Sequence, residues 1–338
     1  MKKIQKTALS GSQFNKSLKK ILTRNETIIV FSIVALSIVI GSINNAFFTM
    51  GTLFETLKAC VVPGILAIGV GIVMINGGVD LSGMAIAIFS AYSAITIILQ
   101  LNLEVPVIVI FLLAMAIGAV LGLLNGLFIA FFKIPIFIAT LCTGVIFKGI
   151  MLEFIGNIYI TPAQMPQSGL DFSRSTVFGG LHSSVFILIG LLVVAHVLLK
   201  YTIFGRGVFA SGGAPESAAR IGYNIKRLNF RLFVYAGIMY AAGGVVYVLN
   251  SRLADPYDLV GTELSVIAAV VLGGISIAGG KGSVFGMFLG TLLTVIIRNN
   301  LILIGISSDW TNFVFGFIFI LAIGIQAYNQ VRVQKERV

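Results

Sequence analysis

The feature of this chain that most constrains its fold is a series of apolar runs, each close to the roughly 20 residues that a helix needs to cross a bilayer. Ten such runs cover most of the chain: 27–43, 59–75, 83–101, 105–132, 134–155, 183–199, 232–249, 264–277, 283–297 and 310–328. Only 10% of the 338 residues are charged, against roughly 25% in ordinary soluble domains. The sequence therefore predicts an all-α polytopic membrane protein with about ten transmembrane helices.

The positive charges are concentrated in three segments of the chain. Of the 23 Lys and Arg residues, seven lie in residues 1–24, six in 200–231 and three in 332–337. Short cytoplasmic loops of membrane proteins are enriched in Lys and Arg. This rule explains the net charge of +11 without a nucleic-acid partner.

Alternating the spans across the bilayer places both termini in the cytoplasm, together with the loop 200–231, Lys133 and Lys281. The outer loops, 156–182 and 250–263, then carry more acidic than basic residues. We expect three parts along the chain: a basic cytoplasmic segment at 1–26, a transmembrane domain at 27–328 and a cytoplasmic tail at 329–338.

Residues 212–222 (GGAPESAARIG) form a polar segment between two long apolar runs. Pro215 suits the first turn of a short helix, and Glu216 is favourable at the positive N-terminal end of that helix. A short charged helix on the cytoplasmic face of a membrane protein commonly contacts a partner, although a merely solvated loop is the alternative. The residues that we expect to make this contact are Pro215, Glu216, Ser217, Ala218, Arg220 and Gly222.

Glycine pairs interrupt the apolar pattern in both halves of the chain, at residues 77–82 (GGVDLS) and 273–278 (GGISIA). A ladder of glycines four residues apart follows each pair, which favours close helix packing: Gly118, Gly122 and Gly126 in the first half, and Gly282, Gly286 and Gly290 in the second. The spacing between pair and ladder differs between the halves. The pattern indicates a two-half repeat with broken helices, which are either structural or part of a transport path.

Polar side chains at membrane depth are costly when they lack partners, so each one needs a reason. Asp80 follows the first glycine pair, where it either caps the next helix or faces a pathway. If Asp80 faces a pathway, the candidate substrate pathway comprises Asn76, Asp80, Ser82 and Asn125.

The sequence contains no pattern typical of an enzyme. Residues 278–283 (AGGKGS) have the wrong spacing for a phosphate-binding loop, and two histidines are too few for a metal site. Cys60 and Cys142 both lie in apolar runs, and their spacing indicates neither a disulfide nor a metal site. We therefore predict no catalytic residue, metal or cofactor, and we expect the energy for any uphill transport to come from a partner or an ion gradient.

Four ordered segments resemble the motifs of one family, the membrane permeases of carbohydrate ABC importers, which include ribose, xylose, arabinose and galactose permeases. The resemblance extends over about residues 60–325, and the segments are 77–82, 125–126 with 134–141, 205–206 with 212–222, and 268–283. Two places depart from the family pattern: Gly83-Met84 after the first motif, and Ala214, Ser217 and Ala219-Arg220 in the loop.

The resemblance implies a bacterial inner-membrane protein that pairs with a second permease copy around a central pathway. Each copy would dock its loop 200–231 into an ATP-binding cassette subunit, with residues 215–222 as the coupling helix. A solute-binding protein would deliver the sugar from outside. A nucleoside, a branched-chain amino acid and a sugar-like signal molecule remain alternative substrates, and an autonomous secondary transporter or channel is a further alternative.

Overall fold

The computed structural model describes residues 25–300 and isolated positions between 305 and 324. The predicted N-terminal segment up to residue 24 and the predicted tail at 329–338 lie outside the described residues. Most of the predicted span 310–328 lies outside them as well.

Most of the described chain is helical and only two short strands occur in it, which confirms the all-α prediction there. In chain order they are α1 (Asn25–Ile43), α2 (Met50–Ala59), α3 (Val61–Ile75), α4 (Gly83–Gln100), α5 (Val107–Phe132), α6 (Ile136–Ile150), α7 (Gln167–Arg174), α8 (Ser184–Tyr201), α9 (Ile203–Gly213), α10 (Pro215–Arg220), α11 (Ile225–Ser251), α12 (Glu263–Leu272) and α13 (Val284–Asn300). A 3-10 turn (Asn45–Phe48) precedes α2, and a π turn (Met151–Ile155) follows α6. Strands β1 (Thr176–Val177) and β2 (Leu181–His182) form an antiparallel hairpin before α8.

Seven helices of the described chain are long and apolar enough to cross a membrane, and they correspond to the first seven predicted spans. One of them joins α2 and α3 into a single helical segment, Met50–Ile75. The predicted spans 264–277 and 283–297 correspond to shorter helices, α12 with 10 residues and α13 with 17. A helix as short as α12 extends about 15 Å, roughly half the hydrocarbon thickness of a bilayer. The predicted count of ten spans is therefore not confirmed.

α11 lies at the centre of the bundle, where it packs against α3, α4 and α5. Glycine lets α5 and α11 approach closely, since a Cβ atom at Gly122 would lie 2.1 Å from the carbonyl oxygen of Phe233. In the second half, a Cβ atom at Gly290 of α13 would lie 2.1 Å from the carbonyl oxygen of Ala269 in α12. Both predicted glycine ladders therefore contain positions where a neighbouring backbone takes the place of a side chain.

The loops predicted to be cytoplasmic gather at one end of the described bundle, which we call the basic end. The turn after α12 reaches the end of α3, because the backbone N–H of Gly280 donates to the carbonyl of Ile75 at 2.8 Å. The start of α11 joins the same group, since Asn76 Nδ2 donates to Asn229 Oδ1 at 2.9 Å. Lys133, between α5 and α6, lines a cavity together with residues that follow α3 and residues at the start of α11.

The segments predicted to be outside gather at the opposite end, which we call the hairpin end. Ile160 and Ala254 pair through an isolated antiparallel bridge that ties the two predicted outer loops together. Arg252 reinforces this connection, because its Nε donates to Ser173 Oγ at 2.8 Å.

A buried histidine anchors the β-hairpin to this end. The backbone N–H of Ser184 donates to His182 Nδ1 at 3.1 Å, so Nδ1 is unprotonated. Nε2 lies 3.1 Å from the carbonyl oxygen of Ser173 and must therefore carry the proton. Burial lowers the pKa of His182 from its ordinary value of 6.5, and the charge of Lys58 acts in the same direction, while the hydrogen bond to Ser173 and the charge of Glu55 oppose them.

We expect the hairpin to loosen in acid. Because the folded-state pKa of His182 lies below 6.5, the neutral ring stabilises the hairpin fully above that pH. This contribution is lost as the pH falls through the folded-state pKa, by at most about 1.4 kcal/mol per pH unit. Hydrogen exchange of residues 175–184, corrected for intrinsic rates, should show less protection at low pH. His182→Gln should remove this pH dependence and His196→Gln should keep it; the same pH dependence in His182→Gln would contradict the assignment.

Candidate functional site

The polar segment between α8 and α11 contains the short helix that the sequence predicts. Pro215 occupies the first helical turn after Ala214, whose backbone is extended at φ −160° and ψ 90°. The missing N–H of proline costs nothing at this position. Glu216 lies in the first turn of α10 and Arg220 in the last, so both charges complement the helix dipole. Gly222 ends the helix with a φ of 98°, a conformation that favours glycine.

One side of α10 is free and the other is anchored. Ala218 is only 2% exposed, so it packs inward and holds the helix to the rest of the chain. The other residues that we predicted for partner contact are exposed: Pro215, Glu216, Ser217, Arg220 and Gly222. Ile221 adds an exposed apolar side chain beside them, at 73% exposure. A charged rim around a small apolar group suits contact with another protein.

α9 leads directly into α10, and its last turn is wedged between two other turns of the chain. A Cβ atom at Gly212 would lie 1.8 Å from the carbonyl oxygen of Ile75 and 2.8 Å from the backbone nitrogen of Gly280. A Cβ atom at Gly279 would lie 2.6 Å from the carbonyl oxygen of Gly212 and 2.7 Å from Gly77 Cα. We call Gly77, Gly212, Gly279 and Gly280 the glycine junction. Here three backbone segments touch without intervening side chains.

The turns that end α3 and α12 have the same local backbone. Gly77 and Gly274 have φ angles of 88° and 87°. Each donates its N–H to the carbonyl three residues earlier, and the following residues, Gly78 and Ile275, donate to the carbonyl five residues earlier. This similarity supports the predicted two-half repeat but shifts it by one residue, because Gly77 corresponds to Gly274 and not to Gly273.

Three of the four predicted pathway residues form one buried network. Asp80 is 1% exposed, and its Oδ1 accepts from the backbone N–H and the hydroxyl of Ser82 at 2.8 and 2.6 Å. Asn125 Nδ2 donates to Ser82 Oγ at 2.7 Å. Tyr240 completes the network by donating its hydroxyl to Asp80 Oδ2 at 3.1 Å. The network joins α4, α5 and α11 beside the start of α4, where Ser82 precedes the first helical residue.

Asn76, the fourth predicted pathway residue, lies apart from this network. Its amide donates to Asn229, as described above, and it ends α3 at the edge of the glycine junction. Beside it, at the basic end, is a cavity of about 660 Å³ lined by Gly77, Lys133, Lys226 and Asn229 among others. The predicted residues therefore occupy two places, a buried network and the border of a basic cavity.

The described residues contain no cluster of three or more His, Cys, Asp or Glu side chains that could hold a metal ion. Cys60 is buried, Cys142 is exposed, and both thiols are free.

Comparisons with known proteins identify the family. Residues 52–323 match the family model described as the permease component of the branched-chain amino acid transport system. The ribose import permease protein RbsC of Escherichia coli (strain K12) is 28% identical, over 89% of this chain and 93% of its own length. The galactose/methyl galactoside import permease protein MglC of Haemophilus influenzae is 31% identical, over 96% of this chain and 99% of its own length.

A third relative is the autoinducer 2 import system permease protein LsrC of Klebsiella pneumoniae. It is 31% identical, over 90% of this chain and 86% of its own length. The family match covers most of the chain, and two of the three relatives exceed 30% identity. The chain therefore belongs to the permease family of branched-chain amino acid transport systems, and it is similar to permeases that import ribose and galactose.

Proposed function

We propose that this chain is the membrane-spanning subunit of an ATP-binding cassette importer, resident in the bacterial inner membrane with both termini in the cytoplasm. It forms the translocation pathway for a sugar that a solute-binding protein delivers to the hairpin end. A separate ATPase docks at the basic end and hydrolyses ATP. A second permease copy, identical or related, completes the pathway.

The position of α10 directly after the glycine junction is the observation that carries this proposal. α10 presents Glu216, Arg220 and Ile221 to the solvent, while its Ala218 is buried. The preceding residues, Gly212 and Gly213, lie beside Gly280 in the loop between α12 and α13, and Gly212 also lies against the end of α3. A force applied to α10 by an ATPase would therefore reach both halves of the bundle through backbone contacts. Coupling of this kind needs an element that both sites contact.

The relatives support a sugar as the substrate, since two of them are import permeases for ribose and for galactose. The similarity to an autoinducer 2 permease supports a sugar-like signal molecule as the second candidate. The family description keeps branched-chain amino acids among the substrates to be tested.

Reconstitution in vesicles tests the proposed function. The permease, its ATPase and its binding protein are assembled, and uptake of labelled D-ribose, D-galactose, autoinducer 2 and L-leucine is measured. We expect uptake of a sugar or of autoinducer 2 only with ATP and all components present. Uptake by the permease alone, driven by an ion gradient, would rule out the ATP-coupled mechanism.

We expect Glu216→Lys to abolish ATP-driven uptake while the permease remains folded in the membrane. The substitution reverses an exposed charge and places a cation at the positive end of the α10 dipole, where it is unfavourable. Co-purification of the ATPase with the permease should fall in parallel with uptake. Glu104→Lys is the matched control, because it reverses an exposed charge at the opposite end of the bundle. Normal uptake and normal co-purification by Glu216→Lys would remove Glu216 from the docking surface.

A further inference from the structure

A large cavity opens within the chain at the hairpin end. Its volume is about 930 Å³, and it lies between α2, α3, α11, α12 and α13. This size is within the range of small-molecule binding sites, about 300–1,000 Å³. None of the predicted pathway residues lines it.

The most buried polar residues of this cavity are all uncharged: Thr56, Thr291, Thr294 and Asn300. Thr291 and Thr294 lie one helical turn apart on α13 and so share a face. Each donates its hydroxyl proton to the carbonyl four residues earlier at 2.9 Å. Both oxygens keep a lone pair for a further hydrogen bond, so this face of α13 offers acceptors to a ligand.

Two amide groups of the lining lack hydrogen-bond partners within the part of the chain that the structure describes. Asn300 is 3% exposed, and its Nδ2 is a buried donor without an acceptor. Asn250 Oδ1, on α11, is a buried acceptor without a donor. Buried polar groups without partners are rare in native proteins and call for an explanation. A ligand with hydroxyl groups supplies one, because each hydroxyl both donates and accepts.

The charged residues of the lining are the more exposed ones. Glu55 is exposed, and Lys58 and Arg298 are half-buried. Arg298 Nη2 donates to Ser265 Oγ at 3.0 Å, which occupies part of its guanidinium. An amino acid would bring a carboxylate and an ammonium group into the cavity, and each would need a buried opposite charge. The buried part of the described lining includes Arg298 Nε but no Asp or Glu side chain that could pair with the ammonium group, so its chemistry favours a ligand without an amine.

We propose that this cavity binds a monosaccharide as it enters the permease. Thr291, Thr294, Asn250 and Asn300 hydrogen bond the sugar hydroxyls, and Leu66, Val266 and Ala269 contact the apolar faces of its ring. This inference rests on the proposed import function and deepens it, because it places the sugar inside one permease chain at the hairpin end.

Thiol labelling tests the site directly. In a Cys60→Ala, Cys142→Ser background, Thr294→Cys is assembled with the ATPase and binding protein in vesicles. Its reaction with a membrane-impermeant methanethiosulfonate is timed with and without D-ribose, D-galactose or L-leucine. We expect one sugar, at about ten times its half-protecting concentration, to slow labelling about tenfold. Glu104→Cys, exposed outside the cavity, should react equally with and without sugar.

Transport by the assembled importer separates failure of the site from failure of the proposed function. Thr294→Val with Asn300→Leu should lower sugar uptake about tenfold, as expected for two lost hydrogen bonds. Thr143→Val changes a buried threonine of α6 that does not line the cavity, and this variant should transport normally. Unprotected labelling together with normal sugar uptake by the double variant would overturn the site and leave the import function standing. Protection by L-leucine alone would also overturn the sugar site, whereas absence of sugar uptake by the unmodified importer would overturn the proposed function itself.

Discussion

Replacing Gly212 by valine is expected to abolish ATP-driven uptake. A Cβ atom at this position would lie 1.8 Å from the carbonyl oxygen of Ile75 and 2.8 Å from the backbone nitrogen of Gly280. The obstructing atoms belong to the backbone, so no change of side-chain rotamer relieves the clash. Overpacking typically costs about 1–3 kcal/mol, and we expect a cost at the top of that range because both turns must move. Uptake by the assembled importer and thermal unfolding of the isolated permease measure the two effects.

Gly213 provides the matched control for this substitution. A Cβ atom at Gly213 would find its nearest neighbour, Gly280 Cα, at 3.9 Å, which is an ordinary contact. Gly213→Ala should therefore retain uptake and stability. If Gly212→Val transports normally, the glycine junction does not link α10 to the bundle, and coupling must follow another route.

Replacing Asp80 by leucine is expected to destabilise the bundle more than other substitutions of the buried network. It removes the acceptor for the backbone N–H and hydroxyl of Ser82 and for the hydroxyl of Tyr240. A buried polar group left without a partner costs about 1–3 kcal/mol, so we expect a total loss of about 3 kcal/mol or more. The midpoint of thermal unfolding should fall by about 5 °C or more.

Two further variants distinguish a broken network from a merely altered core. Asp80→Asn keeps an oxygen that accepts from Ser82 and places an amide N–H beside Tyr240, so its loss of stability should be smaller. Ser90→Ala removes a buried hydroxyl that has no hydrogen-bond partner among the described residues, so it should leave stability unchanged or raise it. Equal destabilisation by all three substitutions would contradict the role of the network.

The long helices could be predicted from the sequence because a lipid-spanning segment must be apolar over its whole length. The predicted span 83–101, for example, corresponds to α4, Gly83–Gln100. Prediction of helix length from hydropathy is wrong where the backbone of an apolar run is interrupted. Hydropathy continues from 264 to 277, yet the helix ends at Leu272, because Gly274 adopts a positive φ. At α2, Glu55 and Lys58 lower the local hydropathy, so the predicted span begins near residue 59 and misses the preceding helix.

The candidate site was predictable only where its signals are local. Pro215, Glu216 and Gly222 mark the start and end of α10 within eight residues of sequence, and the structure places the helix there. The glycine junction joins three segments that lie more than sixty residues apart in the sequence, so nothing near Gly212 indicates that Gly77 lies beside it. Tyr240 lies in an apolar helix, and nothing in its sequence context indicates that its hydroxyl donates to Asp80. The cavity at the hairpin end depends likewise on five separate helices.

The glycine junction also restricts which missense variants of this gene can encode a functional protein. Every single-base change that replaces glycine by another amino acid introduces a residue with a Cβ atom. At Gly212, Gly279 and Gly280 that atom would fall within 3 Å of another segment's backbone, closer than such contacts normally occur. A single missense mutation at any of these codons is therefore expected to disturb the structure. The three positions can change only if the surrounding backbones move as well.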